Sequence, residues 1–72
     1  VKITDEQLQH WFTYHSPTPD QLPKYQRIRD AGHQLAMTIV EDAPEGADVS
    51  AAVRLIREAC MTANAAIACE GK

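Results

Sequence analysis

An arginine on the apolar side of a helix is the residue of this chain that most invites a chemical explanation. Tyr25, Ile28, Gly32, Leu35, Ala36, Ile39 and Val40 recur at three- and four-residue spacing between Leu22 and Glu41. At 100° per residue they fall within an arc of about 140°. Counted from Tyr25, Arg29 lies at about 40°, between Ala36 and Val40, and so belongs to the apolar side, whereas Arg27 at about 200° points away. Such a side chain can lay its stem along the stripe and keep its head wet, or meet a carboxylate. It can also present its planar fork to a bound phosphate, a match that lysine makes only as a point charge.

Three further groups could act on a ligand. Trp11, Phe12 and Tyr14 lie within four residues, followed at once by His15. Trp11 and Phe12 read as a hydrophobic plug that docks a short helix, while Tyr14, at the helix exit, can offer its ring to solvent or to a stacking partner. Arg57 and Asn64 are seven residues apart and share one side of a later helix. An Asn embedded in Ala63-Asn64-Ala65-Ala66 is a poor helix former and so points to a specific hydrogen bond, to a helix, a subunit, or a base edge or ribose. His15 and Asn64 are the candidate ligand hydrogen-bonding groups beside Tyr14 and Arg29.

Catalytic patterns do not appear. Ser16 and Ser50 lack a nucleophile-elbow context, Cys60 falls on an apolar stripe, and the chain has no Gly-rich phosphate loop or paired-carboxylate motif. His10, His15, His33, Cys60 and Cys69 show no zinc-type spacing, so neither a metal nor a cofactor is expected. Cys60 and Cys69 sit about 13 Å apart along one helix and on opposite sides, which rules out a bridge between them.

The elements that must hold these groups are helical. Thr4-Asp5-Glu6-Gln7 has the capping-box form and predicts a short helix over Asp5 to Phe12. Pro17 and Pro19 make the next stretch a turn, and Pro23 fits the first turn of a helix from Leu22 to Glu41. Ala43-Pro44-Glu45-Gly46-Ala47 ends that helix, and Asp48 is a suitable N-cap for another over Val49 to Ala68. Its stripe is Ala52, Val53, Ile56, Ala59, Cys60, Ala63 and Ile67. Two helices of matched length and a short loop predict an all-α antiparallel hairpin over residues 1–72, a single domain. The Ala-rich end of the last stripe (Ala59, Ala63, Ala66) is expected to face Gly32.

Size and charge narrow the partners. Of the 72 residues 44% are apolar, but 11 of these are alanine, which leaves little bulk for a core. A lone core of this size supplies only about 3 to 5 kcal/mol. Without a disulfide or metal, a homo-oligomer is the expected source of stability. A net charge of −3 disfavours a polynucleotide, whose binding releases counterions to a basic surface, yet leaves a small anion possible. No stretch is long and apolar enough to span a membrane and no leader is apparent, so a cytoplasmic protein is expected.

The joint pattern of Tyr14, Ile28-Arg29, Gly32, Leu35 and Ile39, then Met61 before Ala66-Ile67-Ala68, resembles the helical-hairpin family of phage cyclic-oligonucleotide sponges. These counter the bacterial CBASS defence, and a related hairpin occurs in sponges directed at Thoeris signals. The similarity covers about residues 10 to 69. It implies a homohexameric, non-enzymatic protein of the infected host's cytoplasm that sequesters cyclic dinucleotides such as cyclic GMP-AMP. Other cyclic oligonucleotides and cyclic ADP-ribose signals are further candidates. In that family a tyrosine at the position of Tyr14 stacks on a base and a lysine at the position of Arg29 holds phosphate. Some members bind cyclic trinucleotides through an arginine at the position of Ala65, which this chain lacks. The alternative is a helical protein-interaction module with no nucleotide ligand.

Overall fold

The computed structural model describes residues 2–72, and the order of elements is α1 (Asp5–Phe12), α2 (Leu22–Asp42) and α3 (Ala47–Ala68). The capping box at the start of α1 is complete. The Gln7 amide donates to Thr4 Oγ1 at 3.1 Å, and the Thr4 amide donates to Gln7 Oε1 at 2.9 Å. The break at Pro17 and Pro19 falls where the restricted residue before each proline places it, and Pro23 sits in the first turn of α2.

At α3 the start differs from the expected one. Gly46, not Asp48, occupies the N-cap, and no side chain caps the helix. The extended backbone at Gly46 lets helical geometry begin at Ala47. Asp48 then lies inside the first turn, where its charge complements the exposed amides instead of bonding one of them.

α2 and α3 form the hairpin, and they are the only helices of the described residues packed on each other. Partner residues run in opposite order along the two: Gln21 reaches Ile67, Ile28 meets Cys60, and Gly32 lies against Cys60 and Ile56. A Cβ added at Gly32 would stand 2.5 Å from Cys60 Sγ and 3.5 Å from the Ile56 methyl. Close approach therefore occurs at Cys60 and not at the alanines expected there. Ala59 and Ala66 are exposed, because the covered side of α3 is turned toward Val53, Ile56, Cys60, Ala63 and Asn64.

The molecule measures 45 × 32 × 17 Å, with a radius of gyration of 15.4 Å. A compact domain of this length would have about 11 Å. A body 17 Å thin is less than two helix diameters deep, so no described side chain is fully buried. Tyr25, Ile28, Ala36 and Ile39 are half-covered by α3, while Leu35 and Val40 of the same stripe remain 52% and 61% exposed. One hairpin covers only part of a 140° apolar arc.

α1 stands apart from this pair. Phe12 is 85% exposed and does not form the expected plug; Trp11, 40% exposed, lies beside Thr62, Ala65, Ala66 and Cys69 at the end of α3. A polar bond holds the arm instead. His10 Nε2 of the arm donates to the Cys69 carbonyl at 3.0 Å, while at the start of α2 Gln21 Nε2 donates to the Ile67 carbonyl at 3.1 Å. Both carbonyls also accept a backbone amide, Ile67 from Glu70 at 3.1 Å and Cys69 from Lys72 at 3.0 Å, so each side chain uses the second lone pair. α3 itself ends in a Schellman turn. Gly71 and Glu70 amides return to the Ala66 and Ile67 carbonyls, with Glu70 in the left-handed region at φ 55°.

Candidate functional site

α2 and α3 diverge enough beside their tight contact to leave a groove of about 480 Å3. Arg29, Gly32, His33 and Ala36 line it from α2, and Ile56, Arg57, Cys60 and Asn64 are among those that line it from α3. The position of each polar group follows from helix phase. Arg29 is one turn before Gly32 and His33 on the same side, and Arg57 and Asn64 are two turns apart on theirs. The short Gly32 against Cys60 draws the backbones together, and the larger side chains around them form the walls.

The groove is cationic in an acidic chain. Its lining holds two guanidiniums and no Asp or Glu. Among the described residues the single ion pair is Lys72 with Glu70, so neither Arg29 nor Arg57 meets a carboxylate. Of the two structural outcomes open to Arg29, the carboxylate partner is absent and the exposed head remains. A planar guanidinium with free donors is suited to bidentate contact with two oxygens of an anion such as phosphate.

Asn64 adds an unmet hydrogen bond. Its Oδ1 is buried and has no partner. A buried polar atom left unpaired costs about 1 to 3 kcal/mol, so a donor that reached this oxygen through the groove wall would relieve that cost. A base amine or a ribose hydroxyl is such a donor.

Of the four residues singled out as ligand groups, the structure brings Arg29 and Asn64 together and keeps Tyr14 and His15 elsewhere. Tyr14 follows the last turn of α1 and is 82% exposed, outside the groove. The His15 ring is half-buried and donates Nε2 to the His10 carbonyl at 2.7 Å, beside a depression lined by Glu6, Gln9, His10, Thr13 and His15. His33 and Met61 complete the groove lining and were not among the expected ligand residues. The signal for His33 was its phase: it lies one position beyond Gly32, at about 80° on the wheel that places Arg29 at 40°. Arg57 was visible through its seven-residue spacing from Asn64, but its pairing with Arg29 needs the register of the two helices.

The described residues thus form a thin helical hairpin with a groove whose two guanidiniums meet no carboxylate. The family model described as "Acb2/Tad1, hairpin domain" matches residues 4–68, and the chain belongs to that family. It is the anti-CBASS and anti-Thoeris sponge family that the sequence pattern resembles. Membership implies an anti-defence role with bound cyclic oligonucleotides and a domain that is non-catalytic in general. Comparisons with curated proteins and with solved structures gave no match. No described helix is long and apolar enough to cross a membrane.

Proposed function

We propose that this protein binds and sequesters cyclic dinucleotides, such as cyclic GMP-AMP, without cleaving them, so that a CBASS effector in the infected bacterial cytoplasm is deprived of its activator. The observation that carries this reading is the groove in which Arg29 and Arg57 lack carboxylate partners and the Asn64 oxygen lacks a donor. Arg29 holds a phosphate, and Asn64 accepts from a base or ribose. Tyr14 stacks on a base from a neighbouring copy, since its ring lies outside the groove of its own chain. His15 assists at the same edge.

A homo-oligomer, hexameric as the resemblance implies, is part of this reading. A cyclic dinucleotide has two bases and two phosphates, and an isologous interface offers each residue twice about a two-fold axis. Stacking contributes about 1 to 3 kcal/mol per base and charge-assisted hydrogen bonds about 1.5 to 3 kcal/mol each, before ordering costs. Leu35 and Val40, exposed on the hairpin stripe, supply apolar surface for the contact between copies.

Calorimetry with cyclic dinucleotides, cyclic trinucleotides and cyclic ADP-ribose isomers tests the assignment. Arg29→Ala is expected to weaken dinucleotide binding by about 10- to 150-fold while the melting point of the free protein stays put. Ligand recovered after heating should be cyclic, and a linear product would make the protein an enzyme. Excess ligand should raise the melting temperature by several degrees. Absence of any such rise across the panel would favour the protein-interaction module.

A further inference from the structure

The two histidines of the N-terminal arm and the cysteine at the end of α3 are remote in sequence and adjacent in space. One ring nitrogen of His10, one of His15 and the Cys69 thiol all lie within 4.8 Å of one another, and all three residues are half-buried. The rings are 4.6 Å apart between centroids and tilted by 56°. Cys69 is a free thiol.

The hydrogen bonds around the rings select the state a metal needs. A backbone carbonyl can only accept, so His10 Nε2 carries a proton toward the Cys69 carbonyl, and His15 Nε2 carries one toward the His10 carbonyl. In the neutral ring this leaves the lone pair on Nδ1 of each. Donation of the outer ring N–H to a carbonyl is the usual support of a metal-bound histidine, fixing tautomer and orientation. A tetrahedral zinc ion holds N and S ligands at about 2.0 to 2.3 Å, hence about 3.3 to 3.8 Å from each other. The three candidate ligand atoms, within 4.8 Å of one another, must close by about 1 Å to reach that spacing. The two rings also line an open depression with Gln9 and Thr13, from which a water can complete the set.

We propose that His10, His15 and Cys69 form a binding site for a zinc-class divalent metal ion. A mixed nitrogen and thiolate set suits zinc over harder cations such as magnesium or calcium, which require oxygen ligands. The ion ties α1 to the C-terminal end of α3, where the helices themselves do not pack, and fixes the backbone on both sides of Tyr14. It supplies the arm with a staple of the sort small domains use in place of a core.

Titration of the tag-free, reduced, chelator-stripped full chain with Co2+ tests the site. Absorbance should saturate at one metal per chain, with a thiolate charge-transfer band and the intense visible bands of tetrahedral cobalt, and Zn2+ should displace it. The charge-transfer band should vanish in Cys69→Ser and persist in Cys60→Ser, with unchanged helical circular dichroism in both. His15→Asn should weaken the metal at least tenfold. In the wild-type chain, Zn2+ should slow alkylation of Cys69 and leave Cys60 unaffected, as read by peptide mass spectrometry, which does not depend on any variant folding. Failure to saturate at one equivalent, a band that survives Cys69→Ser, or equal alkylation of Cys69 with and without Zn2+ overturns the proposal.

Discussion

The hairpin and the arm that precedes it are held by different forces. α2 and α3 meet along half-covered apolar residues, closest where Gly32 lets Cys60 approach. α1 packs on neither helix and is tied to the end of α3 by the hydrogen bond from His10 to the Cys69 carbonyl. Apolar packing is non-directional and grows with area, whereas the tie is a single directional bond worth about 0.5 to 1.5 kcal/mol. The groove is thus framed by the stiffer part and Tyr14 is carried by the looser one. Under the proposed function, the phosphate-holding groove would rest on the firmer part and the stacking ring on the more adjustable one.

The largest effect expected from this division comes at Gly32. A side chain there must displace Cys60 Sγ, and Gly32→Leu should cost about 3 kcal/mol, the upper part of the range for overpacking, and lower the melting temperature by 10 °C or more. Adding Cys60→Ala should restore part of the loss, a coupling that thermal melts of the double variant would measure. If Cys60→Ala restores nothing, the Gly32 contact is not what closes the hairpin.

A smaller and local effect should follow from Thr4→Ala, which removes a capping hydroxyl whose bond to the Gln7 amide is 3.1 Å. A lost cap costs about 1 kcal/mol. Hydrogen exchange in α1 should accelerate about fivefold, while amides of α2 and α3 hold their protection. Equal acceleration in all three helices would mean that arm and hairpin open as one unit, and the contrast between them would fail.

The smallest effect should be a gain. Glu70 occupies the left-handed position that closes α3, where a side chain costs about 1 to 2 kcal/mol, and its negative charge opposes the helix dipole. Glu70→Gly removes both penalties and adds backbone entropy to the unfolded chain. The net gain should be about 0.5 to 1 kcal/mol, visible as a rise of a few degrees in the melting temperature. No rise would show that the Schellman turn is held by the arm and not by its own geometry.

Local rules made much of this legible. Thr4 and Gln7 sit at the spacing that caps a helix, and the bounds of α1 follow from it. The phase of Arg29 placed it on the apolar side, and the groove is there. The start of α3 was misplaced because a carboxylate at Asp48 satisfies the composition rule for a cap, while the chain turns at Gly46 for backbone reasons alone. Phe12 reads as a plug because it is large and apolar, yet it is Trp11 that lies beside the end of α3, and Phe12, the next residue, is left 85% exposed. The cluster of His10, His15 and Cys69 joins residues 59 apart, so no spacing rule could find it; only the return of α3 to the arm creates it.

That return gives the last turn of α3 a role as a phase setting. Asn64 lines the groove, the Ile67 carbonyl receives Gln21 at the start of α2, and the Cys69 carbonyl receives the arm, all within six consecutive residues. Inserting or deleting one residue between Asn64 and Ile67 would rotate those carbonyls by about 100° and slide them by about 1.5 Å relative to the groove. The arm would then be aimed away from its acceptor with every side chain still present, so substitutions are tolerated along this stretch far more readily than any change in its count.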